Sequence, residues 1–109
     1  MDVTFRYAEE SDTALILEFI KDLAEYEKMT DEVVATEDML KEWLFEKKKA
    51  EVIFAVADGV EIGFALFFHN FSTFLGRAGI YIEDLYVKPA YRGCGYGKSI
   101  IKKFAQIFW

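Results

Sequence analysis

The run Tyr91-Arg92-Gly93-Cys94-Gly95-Tyr96-Gly97-Lys98 has the composition of a phosphate cradle. It follows the apolar stretch 80–87 through a turn containing Pro89 and opens the amphipathic stretch 100–109. A strand, a glycine loop and a helix in that order bring several backbone N–H groups onto one anion at the positive end of a helix dipole. Three spacings compete for the loop. A G-x-x-x-x-G-K-[ST] loop is imitated by Gly97-Lys98-Ser99, but its first glycine position holds Arg92. A G-x-G-x-x-G fingerprint fails from Gly93, where the third position is Lys98, and from Gly95, where it is Ile100. What remains is Arg-x-x-Gly-x-Gly, read as Arg92, Gly95 and Gly97 and preceded by Val87-Lys88-Pro89. Just upstream, Glu83 and Asp84 are adjacent on the expected strand. Their side chains leave on opposite faces unless a bulge intervenes.

The charge distribution fits an anionic ligand at the loop. Lys88, Arg92, Lys98, Lys102 and Lys103 lie within sixteen residues that contain no acid, a local +5, while the whole chain carries −6. The remainder holds 8 basic against all 19 acidic residues, a balance of −11. A basic loop suits a polyanion and an acidic remainder suits a cationic second ligand. So little basic surface argues against nucleic acid.

The elements that must position these residues follow from periodicity. A strand is expected over Val3–Tyr7, then a helix capped by Ser11 or Asp12 with Leu15, Ile16, Phe19, Ile20 and Leu23 on its apolar face. Thr36 caps a second helix carrying Met39, Leu40, Trp43 and Leu44. Strands follow at 52–57 and 62–69, joined by an Asp58-Gly59 hairpin turn. A loop over 71–76, a fourth strand over 80–87 and a last helix over 95–109 complete the chain. At 109 residues this is one domain, 1–109, and 53% hydrophobic residues exclude disorder. No apolar run reaches the ~20 residues of a membrane-crossing helix, and the N-terminus has no signal-peptide core. A single cysteine forms no internal disulfide and no metal set, which fits a reducing, cytoplasmic setting. Cys94 and the lone His69 are therefore read as bland. Phe67, Phe68, Phe71 and Phe74 are read as core or dimer contacts rather than a base-stacking platform.

The β-α-α-β-β-β-α order and the Arg92–Gly97 loop together resemble the acetyl-coenzyme A loop and fold of the GNAT acyltransferase superfamily. Within it, Ile20-Lys21-Asp22-Leu23-Ala24-Glu25-Tyr26-Glu27, Ile62-Gly63-Phe64-Ala65 and Tyr81-Ile82-Glu83-Asp84-Leu85-Tyr86-Val87 are most similar to the diamine (spermidine/spermine) acetyltransferases. The resemblance implies an α+β domain with a mixed, mainly antiparallel sheet and flanking helices. Members of that family continue through a fifth strand, a helix and further strands, so an incomplete domain is expected. Ile107, Phe108 and Trp109 would then end a helix without their covering strand.

The resemblance also implies a chemistry: direct attack of a primary amine on the acetyl thioester of acetyl-CoA, with no metal. An alkyl ammonium of pKa ~10.4 costs about 4.6 kcal/mol to deprotonate at neutral pH, so a carboxylate that takes its proton matters. By resemblance that residue is Glu83, as base or as amine-binding carboxylate, with Asp84, Tyr26 and Glu27 on the amine. The leaving thiolate, pKa ~8.5, costs only about 2 kcal/mol to form. In the family a tyrosine on the helix after the fifth strand protonates it, and neither Tyr91 nor Tyr96 matches that position. The backbone of Leu85, Tyr86 and Val87 is expected to pair with the pantetheine arm. Gly93, Cys94, Gly95, Tyr96, Gly97 and Lys98 would hold the pyrophosphate through N–H groups, with charge from Arg92 and Lys98. The branch is dimeric, which implies a homodimer.

The acceptor stays open. The segment Phe71-Ser72-Thr73-Phe74-Leu75-Gly76 lacks the acid that the branch places before its loop glycine, and one extra residue precedes Glu83. A polyamine or diamine, an amino acid, thialysine-like or drug amine, and a non-catalytic coenzyme A- or partner-binding remnant all fit the sequence.

Overall fold

The computed structural model describes residues 2–93 and 95–108, and for Phe104, Ile107 and Phe108 the backbone alone. Expectations that rest on Cys94, on Trp109 and on the side chains of Ile107 and Phe108 lie outside the described residues. The chain runs β1 (Val3–Tyr7), α1 (Thr13–Tyr26), α2 (Glu37–Leu40), β2 (Glu51–Ala57), β3 (Val60–Ser72), β4 (Arg77–Val87) and α3 (Tyr96–Phe108). The four strands form one antiparallel sheet in the order β1-β2-β3-β4, so β4 is an outer strand.

Side chains alternate across the sheet and build two cores. On one face α1 lays Ile16 and Phe19 against Val52, Phe54, Phe64 and Tyr86. On the other, Ile100 of α3 packs with Ile53, Ala65, Phe67 and Val87. Phe19 is the centre of the first core. Its ring lies 5.2 Å from Phe64, 5.8 Å from Phe54 and 6.4 Å from Tyr86. Burying a phenylalanine this completely contributes roughly 1.5–3 kcal/mol and fixes α1 over the C-terminal half of β4. The same core clamps the last turn of α1, Tyr26 and Glu27, near the strand acids.

Several expectations change in detail. Thr36 caps α2 as expected, its hydroxyl accepting the Met39 N–H at 3.2 Å. Beyond Leu40 the helix widens into a π-helical turn, Lys41–Glu46, and the Lys47 N–H reaches back to the Glu42 carbonyl at 2.8 Å. The widened turn changes the angle between successive side chains, so Leu44 is buried while Trp43 and Met39 stay exposed. Asp12 sits at the head of α1 but does not cap it. Its carboxylate takes both Arg6 guanidinium nitrogens at 2.8 and 2.9 Å and the Glu9 N–H at 2.8 Å. Arg6 also donates to Glu61 at 2.7 Å, tying β1, the head of α1 and β3 together. The expected loop over 71–76 is shorter, because Phe71 and Ser72 extend β3. Asp58-Gly59 forms its hairpin turn with both residues at positive φ, 52° and 76°.

Candidate active site

The strand acids do not obey simple alternation. Leu66 pairs with Asp84, and the next residue of β3, Phe67, pairs with Ile82. Glu83 is therefore the extra residue of a β-bulge. Bulges re-aim side chains beside functional sites. Asp84 is half-buried and Glu83 exposed. Burial pushes the Asp84 carboxyl above its usual range, and the nearby charges of Glu83 and then Glu27 push it further. The C-terminal end of α1 and the β4 bulge thus place the Glu27 and Glu83 carboxylates within electrostatic reach of Asp84, which favours a cation there. Among the described residues no cluster of acids, histidines and cysteine is arranged to hold a metal ion.

Tyr26 stands beside this cluster, 63% exposed, its ring edge-on to the buried Tyr86 at 6.4 Å. The Arg92 guanidinium lies 4.2 Å from the centre of the Tyr26 ring and 5.1 Å from that of Tyr86. Its Nε donates to the Val87 carbonyl at 2.8 Å. So the cation that opens the glycine loop leans toward the end of α1.

The loop itself opens on a cavity of about 470 Å³ lined by Val87, Arg92, Gly93, Gly95, Tyr96, Gly97 and Lys98. Gly95 is at φ 81°, a conformation that L side chains rarely adopt. The Ser99 N–H is bonded to the Gly95 carbonyl at 3.0 Å. Gly95, Tyr96, Gly97 and Lys98, at the start of α3 where N–H groups lack intrahelical acceptors, line the cavity. A Cβ at Gly97 would meet no protein atom within 4 Å; it would project into space a ligand needs. The chemistry of this set, backbone donors with Lys98 at the edge, fits a diphosphate. Tyr96 lines the cavity, but its ring is buried with Ile100 in the α3-side core, so its contribution is backbone.

Along β4 the outward-facing groups are fewer than three consecutive residues would supply. The Lys88 N–H bonds to the Ile62 carbonyl at 2.8 Å, and in an antiparallel pair such bonds fall on alternate residues. Tyr86 therefore turns its backbone to β3, while Leu85 and Val87 turn theirs to the outer edge, where the Val87 carbonyl already accepts from Arg92. Gly63 allows this end of the sheet to close. A Cβ there would stand 2.8 Å from the Tyr86 oxygen.

The glycine loop, Glu83, Asp84, Tyr26 and Glu27 are thus gathered around one end of β4. The bulge is the exception that the adjacent acids left open, whereas the Arg92 stack carries no periodic signal in the sequence. A second cavity of about 340 Å³, lined by Tyr7, Leu44, Phe45, Lys48, Lys49 and His69 among others, lies elsewhere and touches none of these residues.

Comparison with known proteins agrees with this arrangement. Residues 16–108 match the model of the acetyltransferase (GNAT) family. The chain is 40% identical over 114 residues to thialysine N-epsilon-acetyltransferase of Bos taurus, covering 96% of this chain and 66% of that protein. It is 31% identical to spermidine/spermine N(1)-acetyltransferase-like protein 1 of Homo sapiens, over 94% of this chain and 16% of that one. It therefore spans just under two thirds of the bovine relative. The fold matches the crystal structure of ribosomal-protein-alanine N-acetyltransferase from Brucella melitensis biovar Abortus 2308 with a TM-score of 0.76, at 22% identity, over 96% of this chain and 70% of that one. With a family match over residues 16–108, this chain belongs to the GNAT acetyltransferase family.

Proposed function

We propose that this protein transfers an acetyl group from acetyl-CoA to a primary amine of a small polycationic acceptor, a polyamine or diamine. The observation that carries the reading is the raised Asp84 carboxyl, half-buried and pressed by Glu83 and Glu27. A half-buried acid pressed by two neighbouring carboxylates is relieved by a ligand carrying more than one ammonium. Asp84 and Glu27 would hold the ammonium that does not react, with the Tyr26 face beside it.

When bound, acetyl-CoA supplies an acyl carbon activated as a thioester. The N–H groups of Gly95, Tyr96, Gly97 and Lys98 would bind its diphosphate, and the outward groups of Leu85 and Val87 its amide arm. Glu83, exposed at the bulge, takes the proton from the reacting ammonium, directly or through water. The freed nitrogen lone pair forms the new C–N bond, the C–S bond breaks and the sulfur leaves with its electron pair. The acylated nitrogen then gives its second proton to solvent to become a neutral amide, and the thiolate takes one from solvent. We read Glu83 as the proton acceptor because Asp84 is committed to holding a positive charge.

A thialysine-like acceptor is the second reading, favoured by the bovine relative. Its side-chain amine and its α-ammonium would use the same carboxylates, with its carboxylate facing solvent. A thiol-release assay with putrescine, spermidine, thialysine and a simple monoamine separates them. Highest kcat/KM for a di- or polyamine supports the first reading, and highest kcat/KM for thialysine the second. Coenzyme A binding with no turnover on any amine would mean a non-catalytic binding protein. The proposal extends to a cytoplasmic homodimer that acts without metal. What supports the dimer is the apolar tip of the β3–β4 hairpin, where Phe71, Phe74 and Leu75 are exposed.

A further inference from the structure

Arg92 borders both halves of the site. It lines the glycine-loop cavity, yet its guanidinium rests on the ring of Tyr26, 4.2 Å away, and near that of Tyr86. The Nε bond to the Val87 carbonyl, 2.8 Å, pins the base of the group at the junction, so its terminal nitrogens can turn to either side. Tyr26 is joined to Glu27 at the end of α1, and Glu27 is close enough to Asp84 to raise its carboxyl. The face that Arg92 covers is therefore the aromatic wall of the carboxylate cluster.

From this geometry we infer that Arg92 couples the two ligand sites through Tyr26. An incoming ammonium and the guanidinium seek the same ring face and repel each other, so a guanidinium on Tyr26 opposes amine binding. A diphosphate in the loop offers Arg92 a charge-assisted, bidentate alternative about twice as strong as a neutral hydrogen bond. A cation–π contact at an exposed ring is worth only ~0.5–1 kcal/mol. The diphosphate therefore draws the guanidinium off the ring and releases Tyr26 to the amine. Coupling of this kind is reciprocal: the amine tightens coenzyme A binding by the same factor. Arg92 is in this account a positioning residue, acting on the amine through Tyr26.

The inference rests on the amine-acceptor reading above, and the test keeps the two apart. Spermidine is titrated calorimetrically into the full chain, with and without saturating coenzyme A, for the unaltered protein and for Arg92→Gln. In the unaltered protein, coenzyme A should tighten spermidine by about two- to fivefold, the size of one exposed cation–π contact. Arg92→Gln should bind spermidine with the tighter affinity even without coenzyme A, a gain that a merely structural role for Arg92 would not produce. Tyr26→Leu should weaken spermidine and abolish the dependence on coenzyme A. Spermidine and coenzyme A binding independently, or Arg92→Gln leaving the coenzyme A-free affinity unchanged or weaker, would overturn the coupling while leaving the acceptor reading intact. No binding of any amine in the panel would overturn both.

Discussion

Leu66 lies opposite Asp84, and its neighbour Phe67 lies opposite Ile82, so Glu83 has no cross-strand partner. This one-residue irregularity resolves a conflict in the sequence. Two adjacent strand acids would ordinarily face opposite sides, one of them lost to the site. The bulge re-aims them, and Asp84 stays within electrostatic reach of both Glu83 and Glu27. In the proposed reaction the two acids divide the work, Asp84 holding charge and Glu83 moving a proton.

That arrangement sets function against stability at Asp84. Its carboxyl is raised in the folded protein, so folding is favoured while it is protonated, and that contribution is lost as pH rises through the raised value. Asp84→Asn should therefore stabilise the ligand-free protein at neutral pH, by less than about 1 kcal/mol because solvent screens a half-exposed group. The variant should weaken binding of a polyamine at the same time. Thermal unfolding across the acidic-to-neutral range checks this. A variant less stable than the parent at neutral pH would show that Asp84 is a structural acid.

Two glycine substitutions separate backbone strain from ligand space. Gly97→Ala has room in the protein and no positive φ, so it should leave the melting temperature near the parent's while weakening coenzyme A. Gly95→Ala forces a side chain into φ 81° and should cost about 1–2 kcal/mol of stability as well. Calorimetry with coenzyme A beside thermal unfolding distinguishes them. Unchanged affinity in Gly97→Ala would place the diphosphate elsewhere.

The Arg6 network should set the acid limit of the fold. Arg6 holds Asp12 and Glu61 below their usual carboxylate ranges. The stability they contribute is present above the ordinary carboxylate pKa and is lost as pH falls through their depressed values. Arg6→Met should cost about 1–2 kcal/mol at neutral pH. It should also flatten the loss of stability on acidification. An acid-unfolding curve parallel to the parent's would contradict this.

Assembly is tested at the β3–β4 hairpin. Phe74 is fully exposed and Leu75 largely so, at the end of strands that run past the last β2 pairing, Glu51 with Phe67. Replacing both with Ser should convert a dimer at micromolar concentration into a monomer by sedimentation. A dimer that survives the double substitution places its interface on another surface.

The element order was legible because it is written in local periodicity. The continuous apolar run from Val52 to Ala57 and the helical spacing of Leu15 to Leu23 each need only near neighbours. The glycine loop was legible for the same reason, its residues being contiguous. What the sequence hid depends on register or on long-range contact. A bulge at Glu83 changes which residue faces which without changing any residue type. Arg6 and Glu61 meet across 55 positions, and Arg92 finds Tyr26 only after α1 and β4 have docked through Phe19 and Tyr86. The resemblance to diamine acetyltransferases pointed to this end of β4 as the site, which the predictions above test, and it carried no sign of the leaning of Arg92 toward α1.

The most direct test of the account is the pH dependence of thiol release for Glu83→Gln against the parent, with the best acceptor of the panel. If Glu83 takes the ammonium proton, the variant should lose about a hundredfold or more in kcat/KM at neutral pH. The deficit should shrink steadily as pH approaches the pKa of the amine, where the acceptor is already neutral. A loss of the same size at every pH would contradict proton acceptance by Glu83 and leave it a binding or structural residue.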